Sequence, residues 1–211
     1  MKKRIAALCL CAILVIAAIG GGTLAFFTSD AVAHNVITTG KVAIKVDEYA
    51  KYDTDKTVER VKYQTEQTGI MPGAKVDKIV VVSGEDGTAD AWVRVKFTKS
   101  IQLADGKQGE VDLNLIKLEI GTGWIDGKDG WYYYDKAVKA GEEAAPALKS
   151  VEFDAAMDNT YQGATATVDV EAQAVQCANN GTSAQTASGW PAADPGTTTP
   201  TTPDPAPTSP S

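Results

Sequence analysis

The chain has 211 residues, with 27 Asp and Glu against 20 Lys and Arg, a net charge of −7 and a single histidine. The negative surplus argues against nucleic acid or an anionic membrane surface as partner, because like charges repel. One imidazole and no HExxH leave zinc-peptidase chemistry without its usual ligands, and no cofactor motif stands out.

The N-terminus carries Lys2, Lys3 and Arg4, then an uncharged apolar run over residues 5–19, then Gly20, Gly21 and Gly22. Thr23, Leu24 and Ala25 place small residues where a signal peptidase needs them. This pattern predicts an export signal over residues 1–25, cut between Ala25 and Phe26. Retention as an anchor would need about 20 apolar residues. It would also draw three glycines into a helix, at about 1 kcal/mol each relative to alanine. Cys9 and Cys11 follow leucines, where lipoprotein processing needs a small residue. The cut removes three of the 20 basic residues and none of the 27 acidic ones, taking the net charge from −7 to −10. Cys177 is then the one cysteine left, so an internal disulfide is impossible. The chain is expected outside the cell, touching a membrane only through the uncleaved signal.

Residues 26–40 read as a mobile N-terminal segment. Beyond it the hydrophobic period is two. Val42, Ile44 and Val46 alternate with charged or small residues; Val93, Val95 and Phe97 alternate with Trp92, Arg94 and Lys96; Ile116, Leu118 and Ile120 with Lys117 and Glu119; and Val168, Val170, Ala172 and Ala174 with Thr167, Asp169, Glu171 and Gln173. Each pattern predicts a strand with one apolar and one wet face. Residues 79–82 form a continuous apolar run, expected to be covered on both faces. Residues 58–63, 131–134 and 151–153 are further strand candidates. Asp-Gly pairs at 105–106, 126–127 and 129–130 mark tight turns. Residues 112–118 and 153–159 have room for a single helical turn each. The expected fold class is all-β: a jelly-roll-like antiparallel β-sandwich over residues 41–176 with few short helical turns. Residues 177–211, rich in Pro and Thr toward the end, are expected to be a disordered tail.

Candidate chemistry is sparse. Catalysis by a Ser-His-Asp or Cys-His set would need His34 to meet a serine or Cys177 across the molecule. The turn at 126–130 superficially resembles a calcium loop but lacks the ligand spacing and closing glutamate. Trp131 and Tyr133 share one face of a candidate strand. They are candidate surface aromatics for a sugar ligand, although core packing is the commoner fate of such a stripe.

Several segments together resemble one family. The run from Gly20 to Ala25, followed by Phe26, Phe27, Thr28, Ser29 and Asp30, is similar to signals processed by a SipW-type peptidase. Asn35 through Ile44 resembles the N-x-F-x-A-G-x-L-x-L start of TasA and camelysin-like proteins. Met71 through Val76 resembles their x-P-G-x-x-V, and Ala91 through Val95 their A-Y-V-R-V strand. Gly130 through Tyr134, and Tyr161 through Gln176, are similar to later segments of the same group. The resemblance implies a secreted jelly-roll protein; some relatives are subunits of biofilm matrix fibres, and some carry a metallopeptidase label. Strand addition to a neighbour's open sheet edge would then supply the assembly step. Phe26, Phe27, Val32, Val36 and Ile37 are the candidate donor side chains. The implied partners are further copies joined head to tail, a signal peptidase, and other matrix proteins or polysaccharide. A monomeric carbohydrate-binding or wall-binding module is the alternative, with a secreted metallopeptidase behind it. No enzymatic activity is expected.

Overall fold

The computed structural model describes residues 27–30, 34–38, 42–53, 59–63 and 66–191, with 27–30, 34–38 and 66–70 described as backbone alone. The expected signal, its cleavage pair Ala25 and Phe26, donor residue Val32 and tail residues 192–211 lie outside the described residues.

In chain order the strands are β1 (Phe27–Asp30), β2 (His34–Thr38), β3 (Ile44–Lys51), β4 (Val61–Lys62), β5 (Glu66–Ile70) and β6 (Lys75–Gly84). They continue with β7 (Ala91–Gln102), β8 (Ile116–Ile120), β9 (Trp124–Asp126), β10 (Tyr132–Tyr134), β11 (Leu148–Phe153) and β12 (Thr165–Gln176). Single 3-10 turns stand at Leu113–Leu115 and Asn159–Tyr161, each opened by an aspartate. Asp112 accepts from the Asn114 N–H and Asp158 from the Thr160 N–H. Such side chains satisfy backbone donors that a short turn leaves open. Among the described residues no helix is long and apolar enough to cross a membrane.

The strands form two sheets. The larger runs β5-β1-β12-β7-β10-β9, with β2 also on β12; the smaller runs β4-β3-β6-β11-β8. Among the described residues the strands pair antiparallel except where β1 and β2 meet β12. The all-β sandwich expected from the alternating sequence is therefore the observed fold class.

Alternation decides what lies between the sheets. On β12, Ala166, Val168, Val170, Ala172 and Ala174 are all at most 2 % exposed, and Val93 and Val95 of β7 continue the same apolar face. Val80, Val82, Leu148, Val151 and Phe153 of the smaller sheet belong to the same core. Burying a side chain of this size contributes about 1.5–3 kcal/mol relative to leaving it in water. Val81 points away from Val80 and Val82 yet is also buried, while Ile79 on its face is half-buried, so the run at 79–82 is covered on both faces at Val81 and only partly at Ile79.

One polar pair sits inside. Lys78 shares the core face of β6 with Val80 and is 1 % exposed. Its Nζ lies 2.7 Å from Oε2 of Glu48 on β3 and 4.4 Å from the Tyr63 ring centre. Glu48 Oε1 is buried with no hydrogen-bond partner, so the pair is only partly compensated for its lost water.

Candidate functional site

β12 is the longest-paired strand of the larger sheet. One edge pairs with β7 along twelve residues, from Thr165 opposite Gln102 to Gln176 opposite Ala91. The other edge would display unmatched N–H and C=O groups, which attract any available extended chain. The N-terminal segment takes that place. β1 pairs in parallel with the start of β12 (Thr28 with Thr165, Asp30 with Thr167). β2 pairs in parallel with its second half, from His34 opposite Val170 to Thr38 opposite Ala174. β5 then covers β1 in antiparallel register.

The structure thus gives three of the candidate donor residues a fixed register. Phe27 lies on β1, and Val36 and Ile37 lie on β2, opposite Ala172 and Gln173. The segment expected to be mobile is, in its described parts, docked on its own sheet. His34, the one histidine, lies on β2 as part of that ladder. Between the two docked stretches stands Asp169 of β12, whose carboxyl burial pushes above the usual aspartate range.

The aromatic stripe divides by parity. Tyr132 and Tyr134 pack toward the main core. Tyr134 lies 5.0 Å from the Trp124 ring, and Trp124 Nε1 donates to the Ala145 carbonyl at 2.8 Å. Trp131 and Tyr133 face outward but are only 6 % and 7 % exposed. The expectation of these two as surface aromatics is corrected: residues 177–191, expected to belong to a disordered tail, fold back over them. Ala184 and Trp190 complete a second small apolar cluster with Trp92. Trp92 Nε1 donates to the Asn180 carbonyl at 2.8 Å. Asn180 in turn accepts from the Ser188 N–H at 2.8 Å, closing the strap on itself. The strap, expected to belong to the tail, is thus folded onto the sandwich as far as Pro191.

Arg94 is the centre of this cluster and is 8 % exposed. Its guanidinium stacks 4.2 Å from the Trp131 ring centre and 4.6 Å from that of Trp190. Nε and Nη2 donate to Gln173 Oε1 at 3.0 and 2.6 Å, and Nη1 to the Tyr133 hydroxyl at 3.2 Å. Tyr133 donates on to Asp129 Oδ2 at 2.6 Å. Burial raises the Tyr133 pKa, with the Asp129 bond adding to it, and the tyrosine's bond holds the Asp129 carboxyl below the usual range. Asp129 Oδ1 also accepts from the Trp131 N–H at 3.0 Å. The turn that superficially resembles a calcium loop therefore has a carboxylate spent on protein donors.

The arrangement defines a β-sandwich that completes its own sheet edge with its N-terminal strands and masks its outer aromatic face with its C-terminal strap. The sequence model of the camelysin metallo-endopeptidase family matches residues 1–180, and the chain belongs to that family. No curated protein and no solved structure matches it significantly. The family description implies a metal, and the described residues do not fit one. Among them no three His, Cys, Asp or Glu side chains come together as a ligand group.

Proposed function

We propose that this protein is a secreted structural subunit of an extracellular matrix fibre, assembled when the N-terminal strands of one copy occupy the β12 edge of the next. The observation that carries this reading is the parallel docking of β1 and β2 on β12. The docking is made through backbone groups, which any copy of the same segment presents identically. The same strand addition made between copies leaves each subunit with one donor and one acceptor, so the contact does not close and a filament grows. Cleavage at Ala25 would free the donor, which ties assembly to export. Other matrix proteins or polysaccharide are the further partners in this scheme. Peptidase activity has no part in it, and casein cleavage with and without chelator is expected to be nil.

The test is electron microscopy of the chain from Phe26 onward across a concentration series, beside a form lacking residues 26–38. Filaments from the first and none from the second are expected. Single particles at every concentration, or filaments unaltered by the deletion, would overturn the proposal.

A further inference from the structure

We infer that the pairing of β1 and β2 with β12 is a mechanical clamp, so that the folded subunit resists tension applied through its two ends. β1 starts level with the start of β12, where Thr28 stands opposite Thr165. The chain leaves β12 at its other end, beyond Gln176. A pull on the N-terminal side and a pull on the C-terminal side therefore run along neighbouring parallel strands in opposite senses.

In a parallel ladder the hydrogen bonds run across the strands, evenly spaced and slanted. Tension along the strands loads all of them at once in shear. Three residue pairs of β1, and behind them along the chain five of β2, stand in that path, and within each ladder the bonds are loaded together. Tension across the same strands would instead open them one bond at a time. β12 cannot be drawn out alone, because its other edge is paired with β7 over twelve residues. On the C-terminal side the load first meets the strap, where Pro191 accepts from Arg94 Nη2 at 3.5 Å beside the stacked Trp190.

This inference rests on the docked N-terminal strands and not on assembly. It also deepens the proposed function. A neighbour's segment on the same β12 edge would carry axial load from subunit to subunit through the same shear geometry.

Single-molecule force spectroscopy on isolated subunits tests it, since forced unfolding reads the unfolding barrier directly. The chain from Phe26 to Ser211 is pulled first by handles on its two ends. It is then pulled by handles on Asp105→Cys and Gln162→Cys in a Cys177→Ala background. Those two positions flank the paired ends Gln102 and Thr165, so the second pull peels β7 from β12. The end-to-end unfolding force is expected to be at least twice the peeling force at equal loading rate. It should fall to the peeling value when residues 26–38 are deleted. Equal forces in the two directions, or an end-to-end force untouched by the deletion, would overturn the clamp. Because single subunits are pulled, a failure to form filaments leaves this result intact.

Discussion

The indole of Trp190 stacks on the guanidinium of Arg94, with 4.6 Å between the guanidinium carbon and the ring centre. This contact joins the C-terminal strap to the first third of β7. The same indole meets Tyr133 edge-on, the rings 6.0 Å apart at 80°. Trp190→Ala removes the lid from Trp131 and Tyr133 and one of the two faces on Arg94. A loss of about 2–3 kcal/mol is expected from the apolar area and the cation–π contact together. Chemical denaturation measures it. Limited proteolysis should newly cut within residues 177–190 while the sandwich stays intact. A variant as stable and as protease-resistant as the parent would show that the strap is held by other contacts.

The buried pair Lys78 and Glu48 gives the second prediction. Removing only the lysine strands a carboxylate in the core, so Lys78→Ala should cost about 3–5 kcal/mol. Replacing both, with Lys78→Met and Glu48→Leu, should return most of that loss, because the orphaned Glu48 Oε1 disappears with the charge. Burial draws the Lys78 pKa below its ordinary value of 10.5, against the opposing pull of Glu48. The unfolded chain then holds this proton more tightly than the folded one. The Lys78 contribution to stability should therefore rise with pH between the folded value and 10.5. Urea titrations of the parent and the double variant side by side isolate it, because the opposite slope of Cys177, whose pKa is raised, is common to both: the parent should gain stability relative to the double variant as pH rises.

Burial leaves a local trace in the sequence, whereas pairing between distant segments does not. Alternation at Val93, Val95 and Phe97, and from Val168 to Ala174, reports burial directly, so the central strands were readable from residue types. Their lengths were not. β7 continues through Thr98, Lys99 and Ser100 because β12 pairs with it there, and pairing leaves no mark in a polar sequence. β5, with Glu66, Gln67 and Gly69, is a strand only because β1 lies beside it. β9 has three residues between two turns, too few for a period. The strap is rich in Ser, Thr, Ala, Asn and Gly and reads like the tail that follows; Trp190 was the one available signal. Gly121 looks like any turn glycine, yet a Cβ there would stand 1.6 Å from the Pro146 carbonyl oxygen, a clash set by a distant loop. The aromatic stripe was readable as two faces, but what covers the outer one comes from the far end of the chain.

Cys177 should be a sluggish thiol. Burial, with the Asp90 carboxylate adding to it, pushes its pKa from 9.0 up to about 11. At neutral pH that shift cuts the reactive thiolate roughly a hundredfold. Alkylation by iodoacetamide should be correspondingly slow in the folded protein and should speed up on denaturation. Purified protein should not accumulate disulfide-linked dimers in air. Rapid folded-state labelling would show that the thiol opens to solvent far more often than its surroundings suggest.

The register of β2 on β12 separates docking at home from docking on a neighbour. Asn35 stands opposite Glu171, so Asn35→Cys with Glu171→Cys, in a Cys177→Ala background, sets two thiols within reach of a short bismaleimide linker. In dilute subunits the linker should close within one chain, giving a single-chain mass. Under the assembly proposed above, the same thiols in a filament belong to successive copies, and a denaturing gel should show a ladder of covalent multimers. Filaments that yield only single chains would mean that the N-terminal strands stay on their own sheet and that growth uses another edge. The open side of β8, which pairs only with β11 among the described residues, would then be the next to probe. Its residues Lys117 and Glu119 form ion pairs with Asp154 and Lys75 at 2.6 Å each. Charges along an edge discourage a further strand from adding there, which is why the β12 edge is the one expected to serve.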